Sequence, residues 1–489
     1  MASSPTPSNL ESTPVSATQA RLPKLSPEFI AQHYPANTKL LRVDLVHRHG
    51  ERTPGNHRFN GISPKYWNLC THGNQLHVDF TKAVHAHAPE LASDKARDSN
   101  HQQLPWQSSL FEMAKYNPGA SLGLDSLDSQ HANDKSQLSV STCAFSQLTD
   151  VGRESLTALG AHMRALYIDA LGFLPATPRP GITGGPTDDF YLRTTAFNRS
   201  FASLQHMLGG MYPILPANTP LFRVNVRPPS RENLFPRFEF KNFAKVFAKR
   251  TKKSLEHYAE EYETMYQDML KIPALGASLD TNFKSGEERV ALDVWDTLSS
   301  MHSHGLPLPK EIDDAFIARV SQIASLEYMH SMLKSTELTR MHIGNIVHEL
   351  ASNIVHAVET DRGTLSDRQP SPKMGIYSGH DSTLGPLLSV FGDEFTSPST
   401  QAPIEFMWPP YASSMRIELL KDTKTPCPAT LPHWAGKLTD FSTDMAAALP
   451  ESRVRPVNVP SSLYHWPPGR SGTAGSLNPR ATRDYYVRV

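Results

Sequence analysis

Cysteine is almost missing from this chain. Cys70, Cys143 and Cys427 are the three in 489 residues, an odd and sparse set that excludes the disulfide framework of a small secreted domain. An excess of charge of one sign is also missing: Lys plus Arg and Asp plus Glu number 48 each. That balance excludes nucleic-acid binding driven by overall charge, but leaves room for a local basic pocket. No apolar run approaches the length of a membrane span, so no transmembrane segment is expected. The first residues, MASSPTPSNLESTPVSATQARLPKL, lack the charged and then apolar regions of a secretory signal. They also lack the arginines of a transit peptide, although their Ser/Thr bias fits one. The expectation is a soluble intracellular protein, in the cytoplasm before the mitochondrion, with secretion disfavoured.

What is present divides unevenly. A chain of 489 residues exceeds one simple hydrophobic core, so a large domain carrying insertions is expected. Residues 1–25 are Ser/Thr/Pro-rich and expected to be disordered, ahead of one domain over 26–489. Its core is expected over about 38–57, 146–225 and 366–489, with cap insertions over about 58–145 and 226–365. The first insertion reads as irregular loops outside the core, and the second as helix-rich, with KKSLEHYAEEYETMYQDMLK as one helix. Thr149 and Thr195 are expected helix caps. SSMRIELLK and DYYVRV read as paired edge strands, and the chain ends within the latter as a fragment would. Most of the 22 histidines are scattered; His85 and His87, and likewise His302 and His304, read as solvated loop residues. Asp44 lies among aliphatics with no partner that the pattern supplies.

One pattern recurs three times. An apolar strand hands over to a helix through a polar junction at 43–54, 190–199 and 374–384. In an open parallel α/β sheet such junctions share the carboxyl edge, where ligands bind, and the helix N-termini there favour an anion. The junctions carry Arg48, His49, Arg52, Arg193, Arg199, His380 and Asp381. Arg48, Arg52 and Arg193 can fork onto the oxygens of a phosphate without a metal. A neutral imidazole is a competent nucleophile toward phosphorus, and Asp381 is the obvious junction residue to protonate a departing alkoxide. Gly50 is expected to leave room for close approach of the ligand. His47 and His49 lie two apart on a strand and could share a zinc ion, but the flanking arginines repel a cation. No metal and no cofactor are therefore expected. Arg199 is read as tying its helix to the sheet.

The segment RHGERTP (Arg48–Pro54) resembles the R-H-G-x-R-x-P signature of the histidine acid phosphatases. By average composition it arises by chance in a chain of this length on the order of once in ten thousand. GHDSTL resembles the family's His-Asp dipeptide segment, LRTTAFNRS its arginine segment, and QLTDVGRESLTALGAHMRALY its L-T-x-x-G helix. PYASSMRIEL resembles its late strand, and the matches keep the family order across residues 40–420. Two positions depart from the pattern: Ser146 stands where glycine is frequent, and Ala196 where Asp or Asn is frequent.

The resemblance implies a phosphoglycerate-mutase-like α/β sandwich with a mainly parallel sheet and a helical cap. It implies an acid phosphatase in which His49 becomes phosphohistidine. Arg48, Arg52, Arg193 and His380 would bind phosphate, Asp381 would protonate the leaving oxygen, and water would release the phosphate without a metal. Few cysteines place the chain nearer the intracellular and lysophosphatidic acid phosphatase-like members than the secreted phytases. The expected partner is a small phosphate ester, a lysophospholipid or a sugar or inositol phosphate, and not nucleic acid. Two alternatives stand beside this reading: a phosphotransferase or mutase on the same fold, and a silent phospholigand-binding protein.

Overall fold

The structure is a computed structural model and describes residues 22–76, 79, 141–182, 185–215, 222–282, 290–363, 371–391, 408–423 and 485–488. The apolar run after Asn37 forms β1 (Thr38–Arg48), buried on both faces from Val43 onward. That burial suits the interior of a parallel sheet, where strands read as continuous aliphatic runs. β1 pairs in parallel with β4 (Met374–Gly379), which pairs in parallel with β2 (Phe190–Thr194), which pairs in parallel with β3 (Val224–Val226). On its other side β1 pairs antiparallel with β5 (Ser414–Asp422), and β5 with β6 (Tyr485–Arg488). The order is β3-β2-β4-β1-β5-β6. The two late strands do pair, but β5 is interior and β6 alone takes the edge.

The register brings the three junctions to one edge. Arg48 lies beside Gly379, and Thr194 beside Ser378. Helices cover both faces. On one, Val43, Leu45, Leu192 and Ile376 pack with α2 (Asp150–Met163) and α3 (Asn198–Met211). On the other, Val46, Tyr377 and Met415 pack with α10 (Thr336–Arg362) and α11 (Asp381–Phe391). The helix Thr336–Arg362, assigned from sequence to the insertion, therefore covers the sheet through Ile343, Ile346 and Leu350.

The remaining helices build a second core. They are α4 (Lys241–His257), α5 (Ala259–Leu270), α6 (Pro273–Asn282), α7 (Val290–Ser303), α8 (Asp314–Glu327) and α9 (Met329–Leu333). The single helix expected over KKSLEHYAEEYETMYQDMLK is broken at Tyr258, which separates α4 from α5. Phe59, Ile62, Trp67, Cys70 and Cys143 join this core, so both ends of the first insertion are buried and not merely loop.

Cys70 and Cys143 form a disulfide, contrary to the expectation from cysteine count. Backbone bonds from Cys70 N to the Ser141 carbonyl (2.9 Å) and from Cys143 N to the Trp67 carbonyl (2.7 Å) bring the two segments together. Among the described residues no helix is long and apolar enough to cross a membrane.

The start of the chain also differs from expectation. Most of 1–25 lies outside the described residues, but Leu22 and Leu25 pack against the sheet-face core. They precede α1 (Pro27–His33), which Ser26 caps by accepting from Phe29 N. Asp44 finds its partner two residues away on the same strand face. Arg42 Nε and Nη2 donate to its two oxygens at 2.7 and 2.8 Å. The neighbouring β4 carries Gly375 at that register, where a Cβ would lie 2.2 Å from Asp44 Oδ1.

Candidate active site

The site forms where β1 and β4 end. His49 is buried, and its Nδ1 lies 2.8 Å from the Gly50 carbonyl. A carbonyl only accepts, so Nδ1 carries the proton and Nε2 keeps its lone pair. Gly50 is held by packing. A Cβ there would lie 2.4 Å from the Gly152 carbonyl, and one on Gly152 would lie 2.2 Å from the Glu51 carbonyl. The two glycines let the N-terminus of α2 close on the loop that carries the histidine. The room at Gly50 expected for a ligand is occupied by this helix. Thr149 caps α2 as expected, accepting from Gly152 N at 3.2 Å. Ser146 sits at φ 61°, the left-handed backbone that explains why glycine suits this position.

His380 faces His49, with ring centroids 5.5 Å apart. Phe197 and Phe235 flank it at 5.0 and 4.9 Å. Thr195 Oγ1 lies 2.9 Å from His380 Nε2. That bond takes the hydroxyl expected to cap α3, whose N-cap is Phe197 with no side-chain bond. Ala196, at the departure noted from sequence, supplies none either.

Asp381 opens α11. Its Oδ1 accepts from Ser382 N at 2.7 Å, and its Oδ2 accepts from Trp408 Nε1 at 2.9 Å and Arg48 Nη2 at 2.8 Å. Arg48 also donates to the Pro409 carbonyl and lies 4.0 Å over the Tyr411 ring. Arg52 donates to Asp296 Oδ1 at 2.7 Å, while Asp296 Oδ2 accepts from Gly55 N at 2.6 Å.

Electrostatics agree with an anion site. Burial, then the charges of Arg199, Arg48, His380 and Arg52, hold the His49 imidazole well below its ordinary range. Burial and Arg199 do the same to His380. Burial and Arg52 push the Arg199 guanidinium down to about 9. Burial raises the Asp381 carboxyl, but Arg48 and the Trp408 N–H outweigh it and leave the group below the usual carboxylate range. Two neutral imidazoles therefore sit among three guanidiniums whose Nε atoms, on Arg48, Arg52 and Arg199, are buried without a partner. Such donors await an oxyanion.

Arg193 also has a buried Nε without a partner, but its other two nitrogens are engaged by carboxylates. Its Nη2 donates to Glu232 Oε1 at 2.6 Å and its Nη1 to Glu349 Oε2 at 3.2 Å, with the side chain fully buried. Strand alternation explains this, because Arg193 pairs in register with Tyr377 and points to the face covered by α10. Arg199, the second residue of α3, supplies the third guanidinium in its place.

The sequence profile of the histidine phosphatase superfamily (branch 2) matches residues 39–430. The chain belongs to that family. A probable acid phosphatase of Schizosaccharomyces pombe is 23% identical over 88% of this chain and 84% of its own. Lysophosphatidic acid phosphatase type 6 of Bos taurus is 24% identical over 71% of this chain and 74% of its own. Among solved structures, the phytase of Citrobacter braakii is similar over 79% of this chain and 82% of its own, at 12% identity and a TM-score of 0.47. This histidine phosphatase is a phosphoric monoester hydrolase of the acid phosphatase class.

Reading the sequence missed several residues of this phosphatase site. Asp296, Ser300 and His304 recur at spacing four on or just beyond α7, so they line one face. Asp296 holds Arg52, Ser300 Oγ lies 3.3 Å from the Tyr411 hydroxyl, and His304 Nε2 lies 2.7 Å from Thr149 Oγ1. His304 Nδ1 donates to the Ser300 carbonyl at 2.6 Å, so Nε2 accepts from the threonine. His304 is thus a bridge between cap and core, and not a solvated loop residue. His302 lies 3.0 Å from Asp314 Oδ1; His85 and His87 lie outside the described residues. The signal available in sequence was the i, i+4, i+8 polar stripe on an otherwise apolar helix.

Proposed function

We propose that the protein hydrolyses phosphate monoesters without a metal, through a phosphohistidine on His49 with Asp381 as proton donor. The observation that carries this is the tautomer of His49: Nδ1 is committed to the Gly50 carbonyl, so the nucleophilic lone pair lies on Nε2 within the cationic cluster. Arg48, Arg52, Arg199 and His380 hold the phosphoryl group, with Arg199 replacing Arg193 in the set expected from sequence. Nε2 forms the bond to phosphorus as the ester oxygen leaves and takes the Asp381 proton. Water then attacks the phosphohistidine, gives a proton back to the Asp381 carboxylate and releases inorganic phosphate.

Asp381 is ionised in the free site because Arg48 holds it. An arriving phosphate draws on the same guanidinium, which weakens that hold and lets the carboxyl take a proton. Activity then falls as pH rises through the Asp381 pKa in the complex, which puts the optimum below neutral. The substrate is a small phosphate ester; a lysophospholipid or a sugar or inositol phosphate fits the chemistry, and intracellular action remains the reading from sequence.

The test is acid quenching and base quenching of the enzyme with labelled aryl phosphate. Base-stable, acid-labile label on the protein is expected, and its loss together with hydrolysis in His49→Ala. Undiminished hydrolysis by His49→Ala overturns the proposal, and label appearing on an acceptor alcohol instead of in free phosphate indicates a transferase.

A further inference from the structure

The proton donor has an arrangement that singles out one of its oxygens. Asp381 Oδ2 accepts twice, from Trp408 Nε1 at 2.9 Å and from Arg48 Nη2 at 2.8 Å. Oδ1 accepts once, from Ser382 N at 2.7 Å. When Arg48 turns to the phosphate, Oδ2 loses that donor and the Trp408 N–H is the side-chain donor left on the carboxyl, beside the Ser382 N–H on Oδ1. Trp408 is itself fixed. It is 4% exposed and belongs to the second core, where its ring lies 5.8 Å from Trp295 and 6.4 Å from Tyr328, the latter stacked. An indole so packed cannot swing away when Arg48 turns to substrate phosphate.

We infer that Trp408 is a positioning residue for the reaction: its indole N–H stays on Asp381 Oδ2 when Arg48 turns to the phosphate, and so orients the carboxyl and strengthens it as an acid. The inference rests on the reading of Asp381 as proton donor. In the transfer, the carboxyl O–H bond breaks as the leaving oxygen gains the proton, and the carboxylate so formed keeps the indole hydrogen bond. That bond stabilises the product of proton transfer and makes Asp381 a stronger acid at the moment Arg48 is engaged elsewhere. The other charged groups around the carboxyl are Arg48 and Arg52 from the β1 junction, Arg199 from α3 and His380 beside it.

The experiment compares phosphoenzyme formation from an alkyl phosphate, whose alkoxide needs a proton, with that from nitrophenyl phosphate, whose leaving group does not. The ratio of the two rates on one preparation is independent of the folded fraction. In Trp408→Phe the alkyl-to-aryl ratio on the acid plateau is expected to fall about tenfold, and the alkaline limb for the alkyl ester to move up by about one pH unit. Asp381→Asn is expected to lower the ratio further, and Trp408→Phe to add nothing in that background. Trp295→Phe, in the same aromatic cluster but away from the acid, is expected to leave the ratio unchanged. Trp408→Leu gives the same test if the phenylalanine variant does not accumulate folded. If Trp408→Phe changes neither ratio nor limb while Asp381→Asn does, Trp408 is packing alone and the inference fails. A ratio change that persists in Asp381→Asn also overturns it. If Asp381→Asn leaves the ratio untouched, the donor reading itself falls, and this inference with it.

Discussion

Two arginines six residues apart in LRTTAFNRS meet opposite fates. Arg193 sits in the strand and is spent on Glu232 and Glu349, while Arg199 sits in the helix and faces the histidines. Residue type does not separate them; the strand's alternation and the helix start do. Arg199→Ala is expected to lower kcat/KM by about a hundredfold, as loss of one transition-state donor does, with little change in melting temperature. Arg193→Ala leaves the buried Glu232 without its cation, while Glu349 keeps Arg227, so it is expected to cost about 3 kcal/mol of stability. Steady-state kinetics beside chemical denaturation checks the pair. An Arg193 variant of full stability and an Arg199 variant of full activity would reverse the assignment. The histidine pair, Asp381 and the arginines of RHGERTP were legible in sequence because their spacing is local. Asp296, Trp408 and Tyr411 were not, since each reaches the site from a distant segment.

At the scale of elements, the contact that sets His49, the proposed nucleophile, is between a loop and a helix N-terminus. α2 reaches Glu51 and Gly50 only because Gly50 and Gly152 lack side chains. Gly152→Ala places a Cβ within 2.2 Å of the Glu51 carbonyl, so backbone must move by a substantial fraction of an ångström. On the proposed mechanism, displacement of that order misaligns His49 Nε2, and kcat is expected to fall about a hundredfold. The measurement is kcat against circular dichroism, with the helical signal expected to persist; wild-type kcat would show that the loop is not set by this contact. The same glycine stood in sequence as part of an L-T-x-x-G pattern. Its partner across the contact could not be read there. The helix periods of α2, α3 and α10 were legible because each buries one apolar stripe, whereas the break at Tyr258 carries no glycine or proline to mark it.

For the whole molecule, buried neutral histidines tie stability to pH. His47, His162, His206, His330 and His342 are each held at about 4, chiefly by burial. An imidazole in the unfolded chain titrates near ~6.5. The folded values lie below the unfolded one, so between about 4 and about 6.5 the unfolded chain binds more protons and stability rises with pH. It is fully present above that window and drains away as pH falls through it. Glu51 and Glu327, raised to about 7 by burial, act in the opposite sense, but the histidines outnumber them. The melting temperature is expected to be lower at pH 5 than at pH 7.5; an equal or higher value would show that these imidazoles are not buried neutral. An acid phosphatase so built works where its own fold is weaker.

The sequence by itself determined the family, the three central strands and the candidate residues at their ends. Three apolar strands with polar junctions, and the local spacing of Arg48, His49, Arg52, His380 and Asp381, follow from short-range pattern, which a linear chain displays directly. Only the tertiary structure decided which arginine of LRTTAFNRS faces the histidines, that Cys70 meets Cys143, and that α10 covers the sheet. It also decided that α7 and Trp408 brace the site from the cap. Those depend on which faces two elements present to each other across hundreds of residues, and packing, not local propensity, chooses them.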